Sequence, residues 1–374
     1  MIYRAIGVMS GSSLDGLDIA FAEFHVNGGK WTYNLIAADC YSYTTQWKEK
    51  LKNAIHLTAL EYQLLHSAYG HYIGEQVNKF IEKHHLHYQV QLISSHGHTT
   101  FHLPQQQMTG QIGDGASIAA ETGINTISDL RAMDVAFGGQ GAPIVPIGEK
   151  LLLSEYDFFL NLGGIANISF NENAFINKGY VAYDVCAANR VMNMLASESG
   201  KEYDEGGMIA AGGAVDDELL LKLNSLEYYQ RPWPKSLAND FGTDIVYPVI
   251  KDYGINTKDA LRTYVEHIAD QVQLAIYNMQ MDANSGYTSP GLSRLLVTGG
   301  GALNTFLIRR LTEKLKGVNT QLVVPDEKLI NFKEALIMAL IGVLRWREEN
   351  NVMASVTGAS RDSIGGAVWI GQEA

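Results

Sequence analysis

Cysteine is nearly missing from this chain of 374 residues, which carries only Cys40 and Cys186. No CxxC pair and no mixed Cys/His spacing occurs, so neither a disulfide framework nor a structural zinc site is encoded. Positive charge is short as well: 28 Lys and Arg stand against 40 Asp and Glu, for a net charge of −12. Nucleic acid is thereby excluded as the main partner, because a phosphate backbone demands clustered Lys and Arg. A small anion is not excluded, since backbone amides bind one locally. No apolar run approaches the ~20 residues of a membrane helix. The start of the chain has no basic stretch leading into an apolar one, because polar residues from Ser10 to Asp15 intervene. A cytoplasmic protein with no membrane contact is expected. GxxxxGK[ST] is absent, and so is GxGxxG with a downstream acid in a βαβ unit, which removes the P-loop and the dinucleotide fingerprint.

What remains is a core-forming chain, 46% apolar and 18% charged, long enough for two domains. Apolar runs predict strands at 2–9, 18–26, 90–95, 125–128, 157–162, 181–185, 295–298 and 322–325. Helical periodicity predicts helices at 59–84, 116–122, 189–197, 262–281, 304–315 and 333–348. On the first helix Leu60, Leu64, Leu65, Ala68, Ile73, Val77, Phe80 and Ile81 share a face. Strands alternating with helices after an N-terminal hairpin give an α/β fold with mixed sheets flanked by helices. Residues 137–143, dense in Gly and closed by Pro143, read as a crossing between domains.

Three glycine-rich turns stand out. The first runs Ser10-Gly11-Ser12-Ser13-Leu14-Asp15-Gly16-Leu17-Asp18, the second Asn161-Leu162-Gly163-Gly164, the third Gly299-Gly300-Gly301. Glycine lets backbone amides approach a phosphate without a Cβ in the way. Asp15 and Asp18 make sense beside a phosphate if a divalent cation is also bound, since Mg²⁺ takes carboxylates together with substrate phosphates. Each turn also has a plain structural explanation: a tight hairpin with Asx turns, a bulged strand, a strand–helix packing turn. Asp184 ends an apolar strand, where α/β sheets place chemistry, although a lone Asp there is more often a turn or cap acid. Glu334 opens an apolar helix, and a carboxylate against the helix dipole is its ordinary role. His96 and His98 flank Gly97 in a pattern poor for a metal and better suited to substrate hydrogen bonds. Arg131, with Asp129 and Asp134, is either a structural ion pair or an anion contact. Cys186 is read as packing.

In order, the three turns resemble the phosphate-1, phosphate-2 and adenosine motifs of the sugar kinase, heat-shock ATPase and actin superfamily. With Ser95-His96-Gly97-His98-Thr99, Gln111-Ile112-Gly113-Asp114, Gly138-Gly139-Gln140-Gly141-Ala142-Pro143, Pro234-Lys235-Ser236, Glu334-Ala335 and Ser355-Val356-Thr357-Gly358, the chain resembles the anhydro-N-acetylmuramic acid kinase family from end to end. That resemblance implies two actin-like (ribonuclease H-like) domains, 1–135 with 352–374 and 136–351, around a central cleft for ATP, Mg²⁺ and substrate. It implies hydrolytic opening of 1,6-anhydro-N-acetylmuramic acid with phosphorylation of O6, in cell-wall recycling. Asp184 is the implied general base. Gly11, Ser12, Ser13, Leu14, Asp15, Gly16, Leu17, Asp18, Asn161, Gly163, Gly164 and Gly299 to Gly301 are the implied nucleotide contacts, and Asp15 and Asp18 the metal carboxylates. Ser10, His96, Arg131 and Glu334 are the implied sugar contacts. A homodimer is compatible with the family. One departure is plain: Val185-Cys186-Ala187-Ala188-Asn189 replaces the family's Thr-Gly-Pro-Gly-Asn. Loss of two glycines beside the base motivates two alternatives, a kinase of a related sugar and an ATP-binding conformational switch without kinase activity.

Overall fold

The computed structural model describes residues 1–11, 14–170, 180–232, 235–238, 240–281 and 291–371. The chain divides into two compact units, Met1–Leu153 with Phe332–Ala374 and Ser154–Asn331.

In the first unit, β1 (Ile2–Ser10), β2 (Gly16–Asn27) and β3 (Lys30–Ser42) form an antiparallel meander. β4 (Leu92–Ser95) runs parallel to β1. A small hairpin follows, β5 (His98–Leu103) with β6 (Met108–Ile112). β7 (Thr126–Ser128) then lies parallel to β4. The helix Ala59–Lys83 covers one face of the sheet, starting from a Thr58–Glu61 capping box. Its Leu65, Tyr69, Ile73, Val77 and Phe80 join Ile6, Val8, Phe21 and Ile93 in one apolar core. Leu60 and Leu64, expected on that face, are 70% and 62% exposed. They are four residues apart and share a row of their own, about 100° round the helix from the row that begins at Leu65. The helix Glu327–Trp346 packs flat on β1, because a Cβ on Gly7 would run into the Ala335 carbonyl.

In the second unit, β8 (Phe158–Leu162), β9 (Ile165–Phe170) and β10 (Val181–Ala187) are an antiparallel meander, and β11 (Ser293–Thr298) and β12 (Thr320–Val323) extend it in parallel. The buried row of the helix Thr257–Gln280, from Leu261 to Ile276, fills its core. The sheet order β10-β9-β8-β11-β12 repeats β3-β2-β1-β4-β7 strand for strand, in order and in sense. β13 (Ala367–Trp369) adds an antiparallel edge to the first sheet only. This is the ribonuclease H-like order, twice, and in both sheets a glycine turn joins the first two strands.

Residues 137–143 are not a crossing. They fold inside the first unit around Asp134, whose buried carboxylate accepts from Gly141 N and Thr357 Oγ1, each at 2.7 Å. The chain passes between units at 153/154 and 331/332. Residues 136–153 and 332–351 therefore pack with the first unit, drawn in by apolar side chains such as Leu336, Ile337 and Leu340.

Candidate active site

The first unit gathers the implied sugar and metal residues around the ends of β1 and β4. Ser12 and Ser13 lie outside the described residues. Ser10 is buried, and its hydroxyl is committed: Tyr43 OH donates to Ser10 Oγ at 2.8 Å, and Ser10 Oγ lies 3.1 Å from His98 Nδ1. Tyr43 OH in turn lies 2.6 Å from Tyr69 OH. The Ser10 hydroxyl therefore has both Tyr43 and His98 as partners, and the His98 tautomer sets the direction of the second bond. Gly16 and Leu17 begin β2, and the Leu17 side chain belongs to the core, so that residue offers a ligand only its backbone.

Asp18 is half-buried and Asp15 exposed. Burial first, then the negative charges of Glu334 and Asp15, push the Asp18 carboxyl up to about 6, while a hydrogen bond from the Cys40 thiol opposes this. Cys40 is itself pushed up to about 12, chiefly by burial and then by Asp18. Among the described residues no group of three or more His, Cys, Asp or Glu side chains is arranged for a metal. Mg²⁺ asks for less, one or two carboxylates besides water and phosphate oxygens. Asp15 and Asp18 fit that demand, as hard oxygen donors in a patch of negative charge that a cation would relieve.

His96 and Arg131 form a fixed pair. His96 Nδ1 donates to the Gly97 carbonyl at 2.9 Å, so Nε2 is bare and accepts from Arg131 Nε at 2.7 Å. Burial, then the Arg131 charge, holds His96 down at about 3. Arg131 Nη1 donates to the Gly141 carbonyl at 2.6 Å. Burial lowers Arg131 to about 10, against the pull of Glu334 and Asp134. Glu334 thus couples electrostatically to both Arg131 and Asp18. It does not open its helix. The helix begins at Glu327, which places Glu334 two turns in and removes the dipole explanation for it.

In the second unit, the second and third glycine turns touch. Gly299 adopts φ 81°, open mainly to glycine, and a Cβ there would meet Asn161 Oδ1 and the Leu162 carbonyl. Asn189 braces the second turn, its N–H donating to the Gly163 carbonyl at 3.0 Å and its Nδ2 to the Leu162 carbonyl at 2.8 Å, and its side chain lies beside Gly300 and Gly301 of the third. The result is a continuous stretch of backbone with few side chains in the way, suited to a polyanion and a flat base. The residue that makes the junction, Asn189, was legible only as the retained end of the altered family pattern.

Asp184 lies on β10, at a bulge where Asp184 pairs with Asn167 and Cys186 with Ala166. Burial raises its carboxyl, and one N–H from Leu237, 2.8 Å from Oδ2, opposes the rise. The expected loop after it is not a loop. The strand runs on to Ala187, and Val185, Cys186, Ala187 and Ala188 are all buried members of the core. None has positive φ.

With two ribonuclease H-like sheets, the chain is of the carbohydrate kinase class. It belongs to the anhydro-N-acetylmuramic acid kinase family, whose model matches residues 3–371. It is similar to the anhydro-N-acetylmuramic acid kinase of Coxiella burnetii, 32% identical over 384 residues covering 99% of this chain and 98% of the relative. The enzyme of that name from Aliivibrio fischeri is 31% identical over 382 residues, covering 98% and 99%. Among solved structures, the chain is similar to the activator of the 2-hydroxyisocaproyl-CoA dehydratase from Clostridium difficile with bound ADPNP, at TM-score 0.44 and 14% identity over 92% and 96% of the two chains. Among the described residues, no helix is long and apolar enough to cross a membrane.

Proposed function

We propose that this protein opens 1,6-anhydro-N-acetylmuramic acid with water and phosphorylates O6 from ATP, giving N-acetylmuramic acid 6-phosphate and ADP in the cytoplasm. The observation that carries the reading is Asp184, a half-buried carboxylate with a raised pKa, kept in a chain that matches the family over residues 3–371. Water gives its proton to Asp184 and its oxygen bonds to the anomeric carbon. The bond from that carbon to O6 breaks, and its electron pair carries O6 onto the γ-phosphorus as the bond to ADP breaks. The proton leaves Asp184 for solvent, one per turnover.

Asn161, Gly163 and Gly164 offer backbone amides to phosphate, and Gly299 to Gly301 face the adenosine. Asp15 and Asp18 would hold Mg²⁺, which supplies neutralising charge on the phosphoryl oxygens. Arg131, fixed by His96, joins Glu334 in orienting the sugar. Ser10 acts by fixing His98 and the turn, because its own hydroxyl is already engaged. Residues 185–188, which motivated the shifted-sugar alternative, pack in the core of the second unit.

The test is an ADP-release assay with the anhydro sugar beside a panel of plain and anhydro sugars. Turnover is expected with 1,6-anhydro-N-acetylmuramic acid. Turnover with another sugar alone would overturn the reading. Asp184→Asn is expected to lose about 10²-fold or more in kcat.

A further inference from the structure

Among the described residues, β10 is the edge strand of its sheet, with no ladder partner on one side. At the bulge, the outward groups of Asp184 are taken up from another part of the chain. Asp184 N donates to the Lys235 carbonyl at 3.1 Å, Tyr228 OH donates to the Asp184 carbonyl at 2.6 Å, and Leu237 N donates to Asp184 Oδ2 at 2.8 Å. Tyr228 is held in turn. Lys235 Nζ donates to the Tyr228 carbonyl at 3.1 Å and sits 4.6 Å from the centre of its ring.

We propose that Tyr228 and Lys235 are positioning residues for the Asp184 carboxylate, fixing its backbone so that the side chain presents one free oxygen to the attacking water. The inference rests on Asp184 being the base. Its physical content is a division of labour. A bulged edge residue is the least constrained place on a sheet, yet a general base must be held within hydrogen-bond reach of its proton. Tyr228 supplies the missing ladder contact through a hydroxyl. The Lys235 ammonium serves Tyr228 and not the carboxylate, so burial can keep the base's pKa raised. A lysine paired directly with Asp184 would do the reverse.

The experiment is a double-mutant cycle in the full-length enzyme with Y228F, D184N and Y228F/D184N, with products quantified over long incubations. Tyr228→Phe keeps the ring and deletes one hydroxyl. It is expected to lower kcat about tenfold while KM for sugar and ATP stays within about twofold. In the D184N background the same change is expected to alter the residual rate by less than about twofold, because the group it positions is gone. A fall of equal size in both backgrounds, or a change in KM alone, overturns the proposal. A second arm decides if D184N leaves no rate to measure: K235M must lower kcat at unchanged sugar affinity by calorimetry, and K235R must restore it. K235M at parental kcat overturns the proposal. An active D184N sinks the reading of the base, whereas an inactive D184N with Y228F at parental kcat sinks only the positioning role.

Discussion

At the residue scale, the two carboxylates with raised pKa carry opposite burdens. Asp18 is ordinarily ionised above pH 4, and the fold pushes it up to about 6 through burial and the charges of Glu334 and Asp15. A carboxyl raised on folding contributes stability that is full below its unfolded pKa and is lost as pH rises through the folded one. The ligand-free protein should therefore lose stability between about pH 4 and pH 6 on this group's account, on the order of 1–2 kcal/mol once solvent screening of a half-buried group is allowed for. Asp18→Asn should flatten that slope and raise Tm at pH 7.5, while abolishing the Tm increase that the parent shows on adding Mg²⁺ with ADP. Thermal melts across pH, with and without Mg²⁺, check both limbs. An undiminished Mg²⁺ response in the variant would remove Asp18 from the cation. Asp184 is raised by burial too, so kcat should fall on the acid side as the base protonates, with a midpoint above the ordinary carboxylate range. Arg131 makes a third case. Its Nε and Nη1 are fixed by His96 and Gly141 in a fork that lysine cannot copy. Arg131→Lys is expected to raise the sugar KM about tenfold or more, with ATP KM unchanged, in steady-state kinetics.

At the element scale, the helix Glu327–Trp346 shows what packing adds to pattern. Its apolar row from Ala335 to Leu344 is plain in the sequence, which predicts a helix from 333. The start at Glu327 lies a turn and a half earlier, and Leu329, Ile330 and Phe332 carry the same helical spacing back to it. The same helix brings Lys333 to Glu149, an ion pair at 2.9 Å with both side chains at most 5% exposed. Neither residue was singled out on the sequence, since a Lys and a Glu 184 positions apart give no local signal. Glu149→Leu alone should strand a buried ammonium and cost about 3–5 kcal/mol, whereas Glu149→Leu with Lys333→Met should come back to parental stability or above it. Denaturant melts of the three proteins decide, and equal losses in the single and double variants would mean the pair is not buried as described. Strand β3 and the Tyr43–Tyr69–Ser10 hydroxyls were unseen for a related reason. β3 is an edge strand of mixed exposure with no clean alternation, and Tyr43 reaches Ser10 only through the register that pairs Gly16 with Ser42.

At the scale of the whole molecule, the chain holds two sheets of one topology but only one continuous unit. Among the described residues, the core of the second unit, from Phe158 to Ile330, draws on none outside Ser154–Asn331. The first needs two separated stretches, because the helix Glu327–Trp346 and β13 come from the C-terminal end. The sequence hinted at the repeat in its two strand-and-glycine-turn starts, yet set the boundaries at 135/136 and 351/352, because Gly and Pro density at 137–143 looks like a linker when the buried Asp134 it folds around cannot be seen. A unit with its own core folds alone, and one missing a central element does not. A fragment of residues 154–331 is therefore expected to unfold cooperatively by calorimetry, and residues 1–153 alone are not. Since the second and third glycine turns both lie in the fragment, it is expected to bind ADP by calorimetry. Retained cooperative unfolding without any ADP binding would take the primary nucleotide site away from Asn161, Gly163, Gly164 and Gly299 to Gly301.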